Sequence, residues 1–434
     1  MDKMADVLGR AGAWCGQNKY LSAIKNAFQN FMPLTIAGAI GVLWCNVLVN
    51  ESTGLGIFFK PIMALEFLNP AFQAVNFCTI SCITVGITLG IAQEIGIWNM
   101  GAEKAGYIPG LVGLAAWLSV TNTSHMVEGA KDAFTGIAGN ELGATGLFTG
   151  MIIGVLSVEL FCFFEKQDAL KIKMPEQVPP GVARAFEVLV PATITLIITA
   201  CIGSACYNLT GLYLNDVIKN GIQGPLGAVG ATIPGVMIIY LVIMLFWLVG
   251  IHGNNMLSAV KEALFTPLAL ENVEKFNKGE KPTNIINMYA LQMWGEFGGS
   301  GVTIGLVIAI MIFGKREDNK AIATLSLVPG LFNINETVTF GIPMVLNPIL
   351  GIPFVVAPLV TIIIGYVLTV IGFCPVACLT VPWTTPPIVF GFLACGANVM
   401  GAVTQAILIV VSTVIYVPFL IAYEKYQNKQ AAEA

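Results

Sequence analysis

Apolar residues run along this chain in blocks of membrane-crossing length. The clearest block, Leu226 to Gly250, ends in GATIPGVMIIYLVIMLFWLVG and holds no Lys, Arg, Asp or Glu. About 20 such residues carry a helix across the hydrocarbon core of a bilayer. Windows of that size predict spans at 31–50, 72–94, 107–120, 145–165, 187–211, 226–250, 288–314, 349–373 and 400–423. With the apolar but proline-broken region 379–398 the total comes to about ten. Residues 1–30 mix Lys3, Arg10, Lys19 and Lys25 with Val7, Leu8, Trp14, Leu21 and Phe28. That mixture predicts an amphipathic helix at the membrane surface, not a cleavable signal.

Two places break the pattern. LVGIHGNNMLSAVKEALF ends the sixth block with Gly250, His252, Gly253, Asn254 and Asn255 before a helical pattern resumes. LVPGLFNINETVTFGIPMVLNP, Leu327 to Pro348, sets Asn333, Asn335 and Glu336 between Pro329–Gly330 and Gly341–Pro343. Proline frees a carbonyl and glycine weakens a helix. Broken backbone at membrane depth is tolerated where protein covers it or it lines a wet cavity, as at transporter substrate sites. Both stretches are therefore predicted as re-entrant hairpins.

Composition sharpens this picture. Hydrophobic residues make up 56% of the chain and charged residues 11%, against about 25% charged in soluble domains. The expectation is an all-α polytopic membrane protein with about ten transmembrane helices, two re-entrant hairpins and an N-terminal amphipathic helix. The net charge of −4 provides no basic surface for nucleic acid. Two histidines and ten scattered cysteines supply no metal-ligand set, so neither a metal nor a cofactor is predicted. Cys374 and Cys378 are placed to share a helix face.

Lys and Arg cluster before the first span, at 166–184 (a polar connector) and after the last span, which places both termini and that connector in the cytoplasm. Lys275, Lys278 and Lys281 conflict with Lys315, Arg316 and Lys320 under simple alternation, and one re-entrant hairpin removes the conflict. A polar, glycine-containing segment at 212–225 divides the chain into 1–222 and 223–434. No internal repeat is evident.

Glu336 is the leading candidate for chemistry, because an ionisable group inside a membrane segment is costly and marks function. Its neighbours Asn333 and Asn335 add converging donors and acceptors. His252, with Asn254 and Asn255, forms a second polar cluster at a second helix break, and neutral imidazole both donates and accepts. Trp294 and Trp383 stand at breaks and offer flat rings for the C–H face of a sugar, although aromatic belts at the membrane interface compete for them. Glu296 faces water where GGSG opens the helix, and His125 is read as solvated in a polar loop. No lysine or arginine stands among the clustered polar groups, and Lys261 comes well after Asn255. The residues alone thus predict a transporter for a neutral, polyhydroxylated solute.

GLFNINETVTFGIPMVLNP resembles the signature segment of the sugar-transporting IIC subunits of the bacterial phosphotransferase system, in the lactose/cellobiose/diacetylchitobiose family. FWLVGIHGNN resembles that family's other polar motif, and the likeness runs over essentially the whole chain. The resemblance implies a homodimer in the bacterial cell membrane, with an N-terminal bundle of five spans making the dimer contact and a C-terminal region holding the sugar. It implies group translocation, in which a β-linked disaccharide (diacetylchitobiose or cellobiose, or lactose) is phosphorylated on its 6-hydroxyl by a phosphocysteine of a separate IIB subunit. Glu336 and His252 are then the catalytic candidates. Both contact sugar, with Asn333, Asn335, Asn254, Asn255, Trp294 and Trp383 as further substrate-binding residues. No IIB domain follows the last span, so the chain is expected to be the permease subunit of a phosphotransferase complex. The alternative is a proton-coupled disaccharide symporter, with His252 or Glu336 carrying the proton. A scaffold has no use for intramembrane carboxylates, and a hydrolase lacks its nucleophile–base pair.

Overall fold

The computed structural model describes residues 10, 14, 17–51, 56, 59–125, 134–175, 177–225, 230–342 and 344–433. Of the segment 1–30 expected to be amphipathic, residues 1–9, 11–13, 15 and 16 lie outside the described residues, and the part from Lys19 onward is already helix. Helix dominates what is described; its one sheet is a two-residue ladder, β1 (Ser124–His125) against β2 (Phe134–Thr135), paired antiparallel.

The chain divides into two compact units: 17–38 with 75–228, and 1–16 with 39–74 and 229–434. The first unit contains most of α1 (Lys19–Leu43), then α3 (Ile83–Met100), α4 (Ile108–Val120), α5 (Ala144–Glu165) and α6 (Pro180–Thr210), while α2 (Asn69–Asn76) straddles its edge. Helices α3, α4 and α5 pack on one another and α4 packs on α6. Close approach rests on small residues, since lipid offers no hydrophobic drive between helices. A Cβ on Gly113 would fall 2.3 Å from that of Ala92, and one on Gly150 would fall 2.2 Å from Thr88 Oγ1. Large apolar side chains face outward, among them Ile197, Ile202 and Leu209 on α6, as suits contact with lipid.

The second unit holds α7 (Ile233–Leu248), α8 (Gly253–Asn277), α9 (Met288–Gly295), α10 (Ile304–Phe313), α11 (Glu317–Leu331), α12 (Glu336–Gly341), α13 (Gly351–Val370), α14 (Val389–Ala394) and α15 (Val399–Glu433). Helix α13 packs on α7, α9 and α15, and α15 packs on α10 and α14. Among the described residues five helices are long and apolar enough to cross a membrane: Lys19–Leu48 with its terminal π turn, α5, α6, α13 and α15. Lys60–Ser81 and Ile83–Met100, bent by 42°, together make a sixth candidate, and α4, α7 and α10 are apolar but shorter.

Two details depart from the sequence reading. The span expected at 288–314 is two short helices, α9 and α10, separated by the loop 296–303. At about 1.5 Å per residue neither reaches across a core of about 30 Å. The cause is GGSG: Gly298, Gly299 and Gly301 have φ of 69°, 86° and 80°, a region that an L side chain enters only with strain. The break at Gly250 is followed, as expected, by a resumed helix, α8, 25 residues long. Cys374 and Cys378 lie in an irregular connection between α13 and α14, so they share no helix face. The sulfur near Cys374 Sγ is that of Cys395, at 3.9 Å.

Candidate functional site

His252 stands at the N-terminus of α8, where the backbone N–H of Asn255 donates to its Nδ1 at 3.2 Å. With Nδ1 accepting, the neutral ring carries its proton on Nε2. The ring lies against Trp247, with centroids 4.5 Å apart. Nε2 comes within 3.9 Å of Glu336 Oε1. Glu336 opens α12 after the turn 332–335 that ends α11. Its side chain is 47% exposed and that of His252 37%. The two ionisable groups singled out in sequence thus face each other from two different helix breaks.

The amides beside them join segments. Asn254 Nδ2 donates to Ser300 Oγ at 2.9 Å, and buried Asn335 donates to the carbonyl of the same Ser300 at 2.7 Å. Asn333 sits at φ 62°, which asparagine tolerates better than most residues. Its Oδ1 accepts the Gly298 N–H at 2.6 Å. Its Nδ2 donates to the carbonyls of Trp383 and Thr385, the latter at 3.2 Å. The loop 296–303 therefore ties the His252 arm to the Glu336 arm, and Asn333 adds the 383–385 segment.

Of the eight residues singled out as sugar contacts, Asn254, Asn333 and Asn335 bond directly to this loop, His252 and Glu336 stand close to those amides in the chain, and Trp383 is joined through its carbonyl. Trp294 is buried where Gly365 leaves room, with a Cβ at 365 falling 2.4 Å from its ring. Trp383 is 45% exposed. Asn255 is exposed, and its carbonyl accepts from Ser258. His125 lies on β1, half-buried, with Nε2 3.2 Å from the Asn122 carbonyl, so it is not freely solvated.

The expectation that no cation stands among the polar groups is corrected by Lys261. It is buried, donates to Asn254 Oδ1 at 3.1 Å and forms an ion pair with Glu296. The Tyr240 hydroxyl donates to Glu296 Oε1 at 2.6 Å. Lys261 lies two turns beyond Asn254 on α8, and that helical spacing was the available signal. Ser300, Tyr240 and Trp247 offered none, being ordinary residues of apolar or glycine-rich stretches. No group of three or more His, Cys, Asp or Glu residues among the described residues is arranged to hold a metal ion.

Polar side chains converging from discontinuous helices in a polytopic α-helical membrane protein define a solute transporter. The chain belongs to the EIIC family of the phosphotransferase system, whose model matches residues 25–358, and is a sugar permease IIC component of that system. It is 33% identical to the oligo-beta-mannoside-specific EIIC component of Bacillus subtilis (strain 168), over 98% of this chain and 94% of that one. It is 30% identical to the cellobiose-specific EIIC component of Lactococcus lactis subsp. lactis (strain IL1403), over 98% of each. The fold matches the crystal structure of the transporter ChbC, the IIC component of the N,N'-diacetylchitobiose-specific phosphotransferase system. The TM-score is 0.88 at 29% identity, with 97% of both chains covered.

Proposed function

We propose that the chain carries a β-linked disaccharide, diacetylchitobiose or cellobiose with lactose as a third candidate, and presents its 6-hydroxyl to a phosphorylated IIB subunit on a separate chain. The observation that carries this reading is the approach of His252 Nε2 to Glu336 Oε1, 3.9 Å apart at the meeting of two broken helices and both partly exposed. An oxygen placed beside such a pair reaches hydrogen-bond distance of both. Glu336 takes the 6-hydroxyl proton as that oxygen attacks phosphorus. The phosphorus–sulfur bond to the phosphocysteine breaks and the thiolate leaves. His252 donates from Nε2 to a sugar hydroxyl, and the positioning of these groups supplies most of the catalysis.

Trp383 offers its ring to an apolar sugar face, and Asn255 remains open for hydrogen bonding. The names of the relatives, oligo-β-mannoside, cellobiose and diacetylchitobiose, support a β-linked substrate. The reading places the chain in the bacterial cell membrane as a homodimer, with both termini cytoplasmic and residues 1–222 making the dimer contact.

The test is uptake of labelled diacetylchitobiose and cellobiose into proteoliposomes, with and without phosphorylated IIB, for the wild type and Glu336→Gln. Sugar 6-phosphate should appear inside only with the partner and disappear in the variant. Free sugar accumulating without IIB and collapsing with the proton gradient would put a symporter in its place.

A further inference from the structure

Lys261 and Glu296 form a buried ion pair beside the proposed sugar site, yet neither reaches its open side as His252 and Glu336 do. Both belong to a chain of contacts. Tyr240 and Lys261 donate to Glu296, and Lys261 also donates to Asn254 Oδ1. With its oxygen claimed by an ammonium, the Asn254 amide has one favourable orientation, NH2 toward Ser300 Oγ at 2.9 Å. The carbonyl of the same Ser300 receives Asn335 at 2.7 Å, the residue next to Glu336.

We propose that Lys261, neutralised by Glu296, is a positioning residue: by fixing the Asn254 amide it sets, through Ser300, the spacing between the arms that carry His252 and Glu336. This rests on the proposed role of those two residues. Without Lys261 the amide is free to turn by half a rotation, and its oxygen then faces Ser300. The link survives only if the serine hydroxyl reverses, and the two arms lose a fixed separation. Charge balance permits the arrangement inside the protein, because an unpaired buried ammonium or carboxylate is strongly destabilising.

The experiment uses the full chain in proteoliposomes with phosphorylated IIB and labelled cellobiose or diacetylchitobiose. Three forms are compared with the wild type: the charge-free double variant Lys261→Met/Glu296→Gln, Ser300→Ala, and the triple combination. The double variant should keep an apparent melting temperature near that of the wild type while kcat/KM falls about tenfold to a hundredfold, the size of one charge-assisted hydrogen bond. Ser300→Ala should give a similar loss, and the triple should lose no more than the larger of the two, as expected for residues acting through one link.

A double variant with wild-type kcat/KM, or losses that multiply in the triple, would overturn the proposal. If the double variant does not fold, Ser300→Ala alone decides, since wild-type kcat/KM there also overturns it. An active Glu336→Gln control would instead reject the reading of the site itself.

Discussion

Replacing Asn333 tests whether the junction of the broken segments is held by one side chain. The residue makes three hydrogen bonds, to Gly298 N–H and to the carbonyls of Trp383 and Thr385, from a left-handed backbone at φ 62°. Asn333→Gly removes all three bonds and leaves the backbone at ease. At about 1 kcal/mol per bond, less what the partly exposed 383–385 segment regains from water, the loss is about 2 kcal/mol. Asn333→Ala adds the cost of a Cβ in the left-handed region, about 1 kcal/mol more. Asn333→Asp keeps the acceptor for Gly298 but sets a carboxylate against two carbonyl oxygens, so it should be worse than glycine. Hydrogen exchange read at Gly298 should accelerate about thirtyfold in Asn333→Gly, which corresponds to that 2 kcal/mol at about 1.4 kcal/mol per decade. Apparent melting in detergent should rank wild type above Gly, Gly above Ala, and Asp below Gly. A glycine variant with wild-type protection, or an alanine variant as stable as glycine, would refute the reasoning.

Gly365→Ala should displace the Trp294 ring, because the new Cβ would lie 2.4 Å from it; a loss of about 1–3 kcal/mol and a shifted tryptophan emission are the readouts. Asn272, fully buried, accepts from the N–H groups of Thr283 and Asn284 and donates to the carbonyls of Asn284 and Ala377. Asn272→Ala should cost about 3 kcal/mol or more and show as reduced folded yield and lower melting. At the start of α11 the hydrogen bond from Arg316 holds the Asp318 carboxyl below its ordinary pKa. Its folded value lies below its unfolded one, so the contribution is present above the unfolded pKa and lost as pH falls through the folded pKa. Exchange protection around 315–319 should therefore drop on acidification, and Arg316→Gln should remove that acid-dependent step.

How much could be read ahead of the structure depended on how local each signal was. The blocks at 107–120, 145–165 and 349–373 correspond to α4, α5 and α13 within a few residues, because lipid-facing helices must be apolar all round. The turn at 332–335 was legible from a proline, glycines and clustered amides. The break at 296–303 is half legible: GGSG opens the helix, yet the apolar runs on both sides read as one span over 288–314. What closes the site is tertiary. Glu296 and Lys261 are 35 positions apart, and Ser300 receives Asn254 and Asn335 from opposite directions. No periodicity encodes such meetings. Trp294 is the converse case: a break in the chain points to an open ring, and the packing at Gly365 buries it.

The two carboxylates of this region divide along the same line. Glu296 is satisfied by Lys261 and Tyr240, and its side chain is 18% exposed. Its charge is balanced and its acceptor capacity is largely used, so it has little to offer a passing sugar. Glu336 has the His252 ring 3.9 Å away, beyond hydrogen-bond distance, as its ion-pair partner among the described residues, and stays far more open. A carboxylate that takes a proton from a hydroxyl must keep a free lone pair and must not be locked to an ammonium, which would make it a poorer base. By that criterion Glu336 suits the transfer and Glu296 suits the scaffold. Glu336→Gln should therefore abolish sugar phosphate formation while leaving folding intact, whereas Glu296→Gln alone should damage folding first, because it leaves Lys261 buried without its counter-charge. Membrane-inserted yield measured beside transport separates the two. A well-folded, inactive Glu296→Gln together with an active Glu336→Gln would exchange the roles.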